Sequence, residues 1–368
     1  MPKAMITGIT GQDGPYLAYN LLARGFDVVG IHRRACEPNL NGLKFLDIKD
    51  DVQLVEMELT EYEDVRNVLY EVKPTHIFNL AAQSHVGTSF RQPIYTTTVN
   101  YLGVLNLLES LKGLGLLECT RIYQASTSEM FGGQNCPETG YDENSPFWPR
   151  SPYGIAKLAA HWLIRNYREA YNMFGCCGIL FNHESPLRGL NFVTRKITYG
   201  LAGLALGFTE EPLQVGNLNA SRDWGHAEDY TRAMVLMMMQ DKPDDFVIST
   251  GRTCTVRHMI EVACYYHGIS GWRWEGEGVN ERLVDDGGIL VEINPSFYRP
   301  SEVDTLIGNS QKAVDVLGWE REYLFEDMIR DMCQNDWDIL SKAADGLKSR
   351  NVYRQIQTNI EKNTCDCS

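Results

Sequence analysis

"KAMITGITGQDGPYLAYNLLARG", residues 3–25, decides the fold. Its first five residues form a short apolar strand, and from Gly14 onward apolar side chains recur at helical spacing until Gly25 closes the run. Between the two, Gly8, Gly11 and Gly14 punctuate the chain every three residues. Glycine lets a backbone turn tightly and approach a diphosphate, whose charge then sits at the N-terminus of the next helix. A lone G-x-x-G-x-x-G is common. Placed between a strand and a helix it predicts a dinucleotide site, built from Gly8, Ile9, Thr10, Gly11, Gln12, Asp13 and Gly14.

Working outward, "DVVGIH" (27–32), "VQLVEM" (52–57), "HIFNLAA" (76–82), "RIYQAS" (121–126) and "CCGILF" (176–181) read as further strands. The helices "EYEDVRNVLYEV" (61–72), "TVNYLGVLNLLESLKGLG" (98–115) and "SPYGIAKLAAHWLIRNYREAYN" (151–172) fall between them. In the last of these, Ser151 is the expected N-cap and Pro152 the first helical residue. Such alternation predicts an α/β fold with a doubly wound parallel sheet of the Rossmann type. Past residue 182 the pattern loosens: "VGNLNASRDWGHAEDY" reads as loop, and "DDFVIST" (244–250) as one more strand. Residues 1–182, with a returning segment at about 217–250, are expected to form the dinucleotide-binding domain. Residues 183–216 and 251–368 are expected to form a smaller mixed α/β lobe for the substrate. "MVLMMMQ" (234–240) reads as core helix.

Composition narrows the function. The net charge of −14 argues against non-specific binding to nucleic acid or anionic membranes. No run of 18 apolar residues exists to span a bilayer, and a first strand at residue 3 leaves no room for a signal peptide, so a cytoplasmic protein is expected. The ten cysteines lack paired C-x-x-C spacing and read as reduced thiols; Cys365 and Cys367 in the tail are weak evidence for a metal. His85, His183 and His226 are too isolated to suggest one, and no metal is expected.

Three short stretches carry chemistry. The second strand ends "IHRR", where an NAD site would offer an acid to the ribose; Arg33 and Arg34 instead suit the 2′-phosphate of NADP. "YGIAK" sets Tyr153 and Lys157 one helical turn apart. A tyrosine titrates near ~10, and bringing it to about 7 takes roughly 4 kcal/mol, which a neighbouring ammonium and a cationic nicotinamide ring together supply by favouring the phenolate. "QASTSEMFG" (124–132) ends a strand in hydroxyls and then presents Glu129. A carboxylate there is either a solvated loop residue or a base placed to take a proton.

With the glycine loop, "NLAAQSHV" (79–86), hydroxyls on the fifth strand and Y-x-x-x-K, the chain resembles the extended short-chain dehydrogenase/reductase family. "GITGQDG", "YQASTSE", "SPYGIAK", "ILFNHESP", "FVTRKI", "RDWGHAEDY" and "YRPSEVDTLIGN" are similar to the branch of that family that dehydrates GDP-mannose, a likeness running from residue 3 to about 325. The resemblance implies a redox-neutral reaction with NADP. Tyr153 takes the O4 proton as C4 is oxidised, Lys157 holds the phenolate, Glu129 removes the C5 proton, Thr127 assists loss of the C6 hydroxyl, and hydride returns to C6.

It also implies that Glu58 and Leu59 lie near the adenine, and that Leu80, Ala81, Ala82, Gln83, Ser84 and Tyr95 line the nicotinamide side. His183 and Arg188 are implied as further cofactor contacts. Ser84, Ser126, Thr127, Asn182, Val193, Lys196, Arg222, Arg299 and Glu302 are implied for the nucleotide sugar. Relatives pair through two long helices, here roughly 97–114 and 151–172, so a homodimer or homotetramer is implied. Three positions depart from the pattern: "RRACEPNLNGLKFL" replaces a serine-rich run, Glu58 replaces an aspartate, and Leu187 an arginine. The last keeps open a related sugar such as a GDP-heptose. An epimerase or reductase of the same fold, and a non-catalytic NADP-binding protein, are the remaining alternatives.

Overall fold

The structure, a computed structural model, describes residues 1–133, 135–298 and 305–346. They divide into two compact units. The first holds residues 1–183, 223–253 and 305–322; the second holds, among the described residues, 184–222, 254–298 and 323–346.

In the first unit strands and helices alternate as β1 (Lys3–Thr7), α1 (Asp13–Leu22), β2 (Asp27–His32), β3 (Val52–Glu56), α2 (Tyr62–Val72), β4 (His76–Asn79), α3 (Gly103–Gly113), β5 (Arg121–Thr127), α4 (Pro152–Tyr171), β6 (Gly175–Leu180), α5 (Ala227–Met238), β7 (Asp245–Ile248) and α6 (Gln311–Leu317). The seven strands form one parallel sheet in the order β7-β6-β5-β4-β1-β2-β3. Strand order reverses between β1 and β4, which leaves a crevice at their C-terminal ends. Both faces are covered. Ile6 packs in a layer with Leu17 of α1 and Met234 of α5, while its neighbour Met5 packs on the other side with Leu69 of α2, Leu108 of α3 and Ile164 of α4. Met234, Val235, Met237 and Met238 are fully buried, as their reading as core requires.

Some elements depart from the sequence reading for visible reasons. The strand read over 76–82 stops at Asn79, because the Thr7 hydroxyl takes the N–H groups of Leu80 and Ala81, each at 3.1 Å. The helix read from Thr98 begins with a wide π turn, Thr98–Leu102, before regular α3. Buried Asn100 in that turn bonds both the N–H and the C=O of Gln83, at 2.8 and 3.0 Å. Within the stretch read as loop, Ser221–Arg222 and Trp224–His226 are short strands.

Residues 305–322, read as part of the substrate lobe, belong instead to the first unit. Trp319 is buried there and its indole N–H donates to Asp229 O at 2.9 Å. Asp223 ties the segment down, accepting from Thr250 N and Thr250 Oγ1 (2.7 Å each), Gly251 N (2.9 Å) and Gly308 N (3.2 Å).

The second unit contains helices Val193–Ala205, Val256–Tyr266 and Phe325–Gly346. Its four-stranded sheet runs Arg273–Glu275, Arg282–Asp285, Gly288–Ile293, Leu213–Val215, the last pair parallel. Buried Asp336 accepts from Arg195 Nε at 2.6 Å and Thr198 Oγ1 at 2.7 Å, pinning the long helix to Val193–Ala205. No helix among the described residues is long and apolar enough to cross a membrane.

Replacing Asp223 with Ala leaves its four donors without their acceptor. The variant should lose about 2–4 kcal/mol of stability, read as a lowered urea midpoint.

Candidate active site

The glycine loop is shaped by backbone needs. Gly8 has φ +73°, and a Cβ on it would stand 3.0 Å from Ala81 N. A Cβ on Gly14 would stand 2.7 Å from Ile9 Cα, so only glycine lets α1 start so close to the loop. Gly11 N donates to Gly8 O at 2.9 Å and closes the turn. Ile9 points into the core with no exposure, leaving the backbone of the loop ahead of α1. This cradle fits the diphosphate of a dinucleotide.

Around the cradle the predicted residues separate. His183 bonds Asp13 Oδ2 through Nε2 at 3.0 Å and Phe181 O through Nδ1 at 2.8 Å, and its ring stacks on Tyr230 at 4.5 Å. Gln12 Nε2 donates to His183 O at 2.9 Å. Arg33 and Arg34 are exposed past β2, and Arg33 Nη1 donates to Tyr95 Oη at 2.8 Å. Tyr95, read on the nicotinamide side, thus meets the arginine read for the 2′-phosphate. The Glu58 carboxylate accepts from Thr60 N and Thr60 Oγ1, while Leu59 is buried against Gly103. Past β4, Ala82 and Gln83 are half-buried and Ser84 is exposed.

One row of polar side chains went unread in the sequence. Thr7, Asn79 and Gln124 occupy matching register positions on β1, β4 and β5 and are each 1 % exposed. The Thr7 hydroxyl donates to Asn79 Oδ1 (2.6 Å), Asn79 Nδ2 to Gln124 Oε1 (2.7 Å), and Gln124 Nε2 to Ala125 O (3.0 Å). The signal was there: Thr7 and Asn79 each close an apolar run, and Gln124 follows one.

The row ends at the proposed catalytic group. Ser151 Oγ accepts Gly154 N at 3.0 Å and starts α4, which carries Tyr153 and Lys157 on one buried face. Lys157 Nζ donates to Ala125 O at 2.8 Å and stands 6.0 Å from the Tyr153 ring centroid. Burial pulls its pKa down to about 8, the charge of Asp13 acting in the opposite sense. Thr127 Oγ1 accepts Glu129 N at 3.3 Å, and Glu129 is buried. A Cβ on Gly154 would lie 2.8 Å from Glu129 O, so α4 is pressed against the turn that holds the carboxylate. Phe131 stacks flat on Tyr141 at 4.6 Å and anchors that turn from below. Thr127, Glu129, Tyr153 and Lys157 are therefore brought together. Ser126, one residue earlier on β5, faces α4, its hydroxyl 3.1 Å from His161 Nδ1, one turn beyond Lys157. Burial lowers the His161 pKa to about 4, so the imidazole is neutral.

Asn182, in the first unit, is half-buried. In the second unit, Arg188 pairs with Glu184 at 2.9 Å and lies 3.5 Å over the Phe192 ring. Val193 is exposed at its helix start, Lys196 Nζ lies 4.0 Å over Phe297, and buried Arg222 donates to Ser221 O. Arg299 and Glu302 lie outside the described residues, as do Cys365 and Cys367. Among the described residues no three His, Cys, Asp or Glu side chains group as metal ligands.

The profile of the family described as GDP-mannose 4,6 dehydratase matches residues 5–332. The chain belongs to this family. Over 359 residues it is 45% identical to a GDP-mannose 4,6-dehydratase of Vibrio cholerae, covering 93% of this chain and 95% of that one. It is 45% identical to the human GDP-mannose 4,6 dehydratase, covering 92% of each. Among solved structures the fold is similar to UDP-glucose 4-epimerase of Thermus thermophilus in complex with NAD, at a TM-score of 0.75 and 22% identity over 91% of this chain and 98% of that one.

Replacing Lys157 with Met removes an ammonium that folding takes out of water. Its folded pKa lies below the unfolded value, so the penalty is absent above the unfolded pKa and fully present below about 8. At pH 7 the Met variant should gain up to about 3 kcal/mol by chemical denaturation.

Proposed function

We propose that the protein removes water from GDP-mannose to give GDP-4-keto-6-deoxymannose, using Tyr153, Lys157, Glu129 and Thr127. The observation that carries this reading is buried Glu129, braced against the start of the helix that bears Tyr153 and Lys157. A bound NADP supplies hydride acceptance at C4 and hydride return at C6. Tyr153 takes the proton from O4, and Lys157 favours its phenolate by charge. Once C4 is a ketone, Glu129 removes the acidified C5 proton, and the C6 hydroxyl, hydrogen-bonded by Thr127, departs as water with the proton that Tyr153 took from O4. Glu129 then returns the proton to C5.

NADP is the dinucleotide we assign, because Arg33 and Arg34 are exposed at the end of β2, where guanidinium groups meet a 2′-phosphate. The backbone cradle of Gly8 to Gly14 receives the diphosphate, with Leu80, Ala81 and Gln83 toward the nicotinamide. Ser84, Asn182, Val193, Lys196 and Arg222 are assigned to the nucleotide sugar. We assign a homodimer or homotetramer formed through α3 and α4, since α4 exposes Ile155 and Trp162 two turns apart on its outer face. A cytoplasmic enzyme fits the thiols of Cys176, Cys177, Cys264 and Cys333, which are buried and unbridged.

Incubation with GDP-mannose should give a 4-keto sugar detectable by its absorbance in alkali, and an unconverted substrate would overturn the reading. In the Glu129→Gln variant the rate should fall by about 10²–10⁴ with KM little changed. Near wild-type turnover by that variant removes Glu129 from its role. By calorimetry NADP should bind more tightly than NAD, and Arg33→Ala should narrow the difference by about 1–2 kcal/mol.

A further inference from the structure

The buried row beside Lys157 has a direction. Leu80 and Ala81 donate to Thr7, Thr7 to Asn79, Asn79 to Gln124, and Gln124 to Ala125 O, where Lys157 Nζ also donates. Each positive end points the same way, toward one carbonyl oxygen. That oxygen has two lone pairs, and the amide and the ammonium share them.

The backbone ladder already joins β4 to β5 at the Asn79–Gln124 position, so the sheet needs no side-chain brace there. Buried amides within apolar strands are destabilising unless fully bonded, and this row is bonded from end to end. We infer that Gln124 is a positioning residue for Lys157: by occupying one lone pair of Ala125 O it fixes where the ammonium sits and weakens that carbonyl's hold on its charge. Burial acts in the same sense on Lys157, lowering its pKa. The consequence for chemistry rests on the reading above, in which Lys157 serves Tyr153.

The test measures Lys157 directly. Cyanate carbamylates only the deprotonated amine, so the rate at Lys157, followed against pH by peptide mass spectrometry on the full chain, gives its titration midpoint. In Gln124→Leu the freed lone pair holds the ammonium better, and the midpoint should rise by about 0.7 pH unit, about 1 kcal/mol at ~1.36 kcal/mol per unit. In the near-isosteric Gln124→Glu, an ionised carboxylate beside the ammonium should raise it further. The alkaline limb of kcat for GDP-mannose should move with it, KM staying within about two-fold. Midpoints equal to wild type in both variants, whatever their melting temperatures, overturn the proposal. A wild-type protein that labels normally but leaves GDP-mannose unconverted overturns the dehydratase reading instead, and the labelling still decides the role of Gln124.

Discussion

A lysine ammonium taken out of water needs an acceptor on its charge, and the first unit is built around that need. Lys157 finds it in the carbonyl of Ala125, near the end of β5. Moving an ammonium into a low-dielectric interior is unfavourable by several kcal/mol, so its surroundings have to be fixed before it arrives. Two supports fix them. α4 is started by Ser151 and Pro152, and β5 is held in the middle of a seven-stranded sheet. A helix and a central strand are stiffer than loops, which is why a site that depends on sub-ångström placement is carried on them.

The sheet's topology supplies the rest. Parallel strands end at one edge, and where their order reverses the flanking helices part and leave room. Three glycines open the backbone there, while Thr7 captures two N–H groups that would otherwise extend β4. The same hydroxyl thus ends a strand, frees the loop after it, and begins the buried row that reaches Ala125. The cradle begins one residue after Thr7, and the hydrogen-bonded row that starts at Thr7 ends on the carbonyl that accepts from the lysine.

What was legible in the sequence had local causes. The glycine loop, the Tyr153–Lys157 spacing and the Ser151–Pro152 start each lie within a few residues, and strand–helix alternation is a sum of such patterns. What was not legible runs across the sheet. Asp13 and His183 pair over 170 positions, and nothing near either residue announces the other. Ser126 and Thr127 are adjacent, so the pleat sends their side chains to opposite faces: the Ser126 hydroxyl meets His161 on α4, and the Thr127 hydroxyl accepts from Glu129 N. Residues 305–322 are preceded and followed in the chain by residues of the second unit. Their membership in the first depends on backbone N–H groups of Thr250, Gly251 and Gly308 finding Asp223, which no periodicity encodes.

The placement of Glu129 follows from the work the reading gives it. A base that removes a proton and later returns it must keep its distance to the substrate carbon through a full cycle, while the phenol works on the neighbouring carbon. Glu129 sits on a short 3-10 turn, Ser128–Met130, which could shift if it stood alone. Its N–H is held by Thr127, its carbonyl abuts Gly154, and Phe131 stacks beneath it on Tyr141. Gly154 directly follows Tyr153, so any displacement of the carboxylate's backbone presses on the helix that carries the phenol. Glycine at 154 is what permits that contact, since any larger residue would drive the turn and the helix apart.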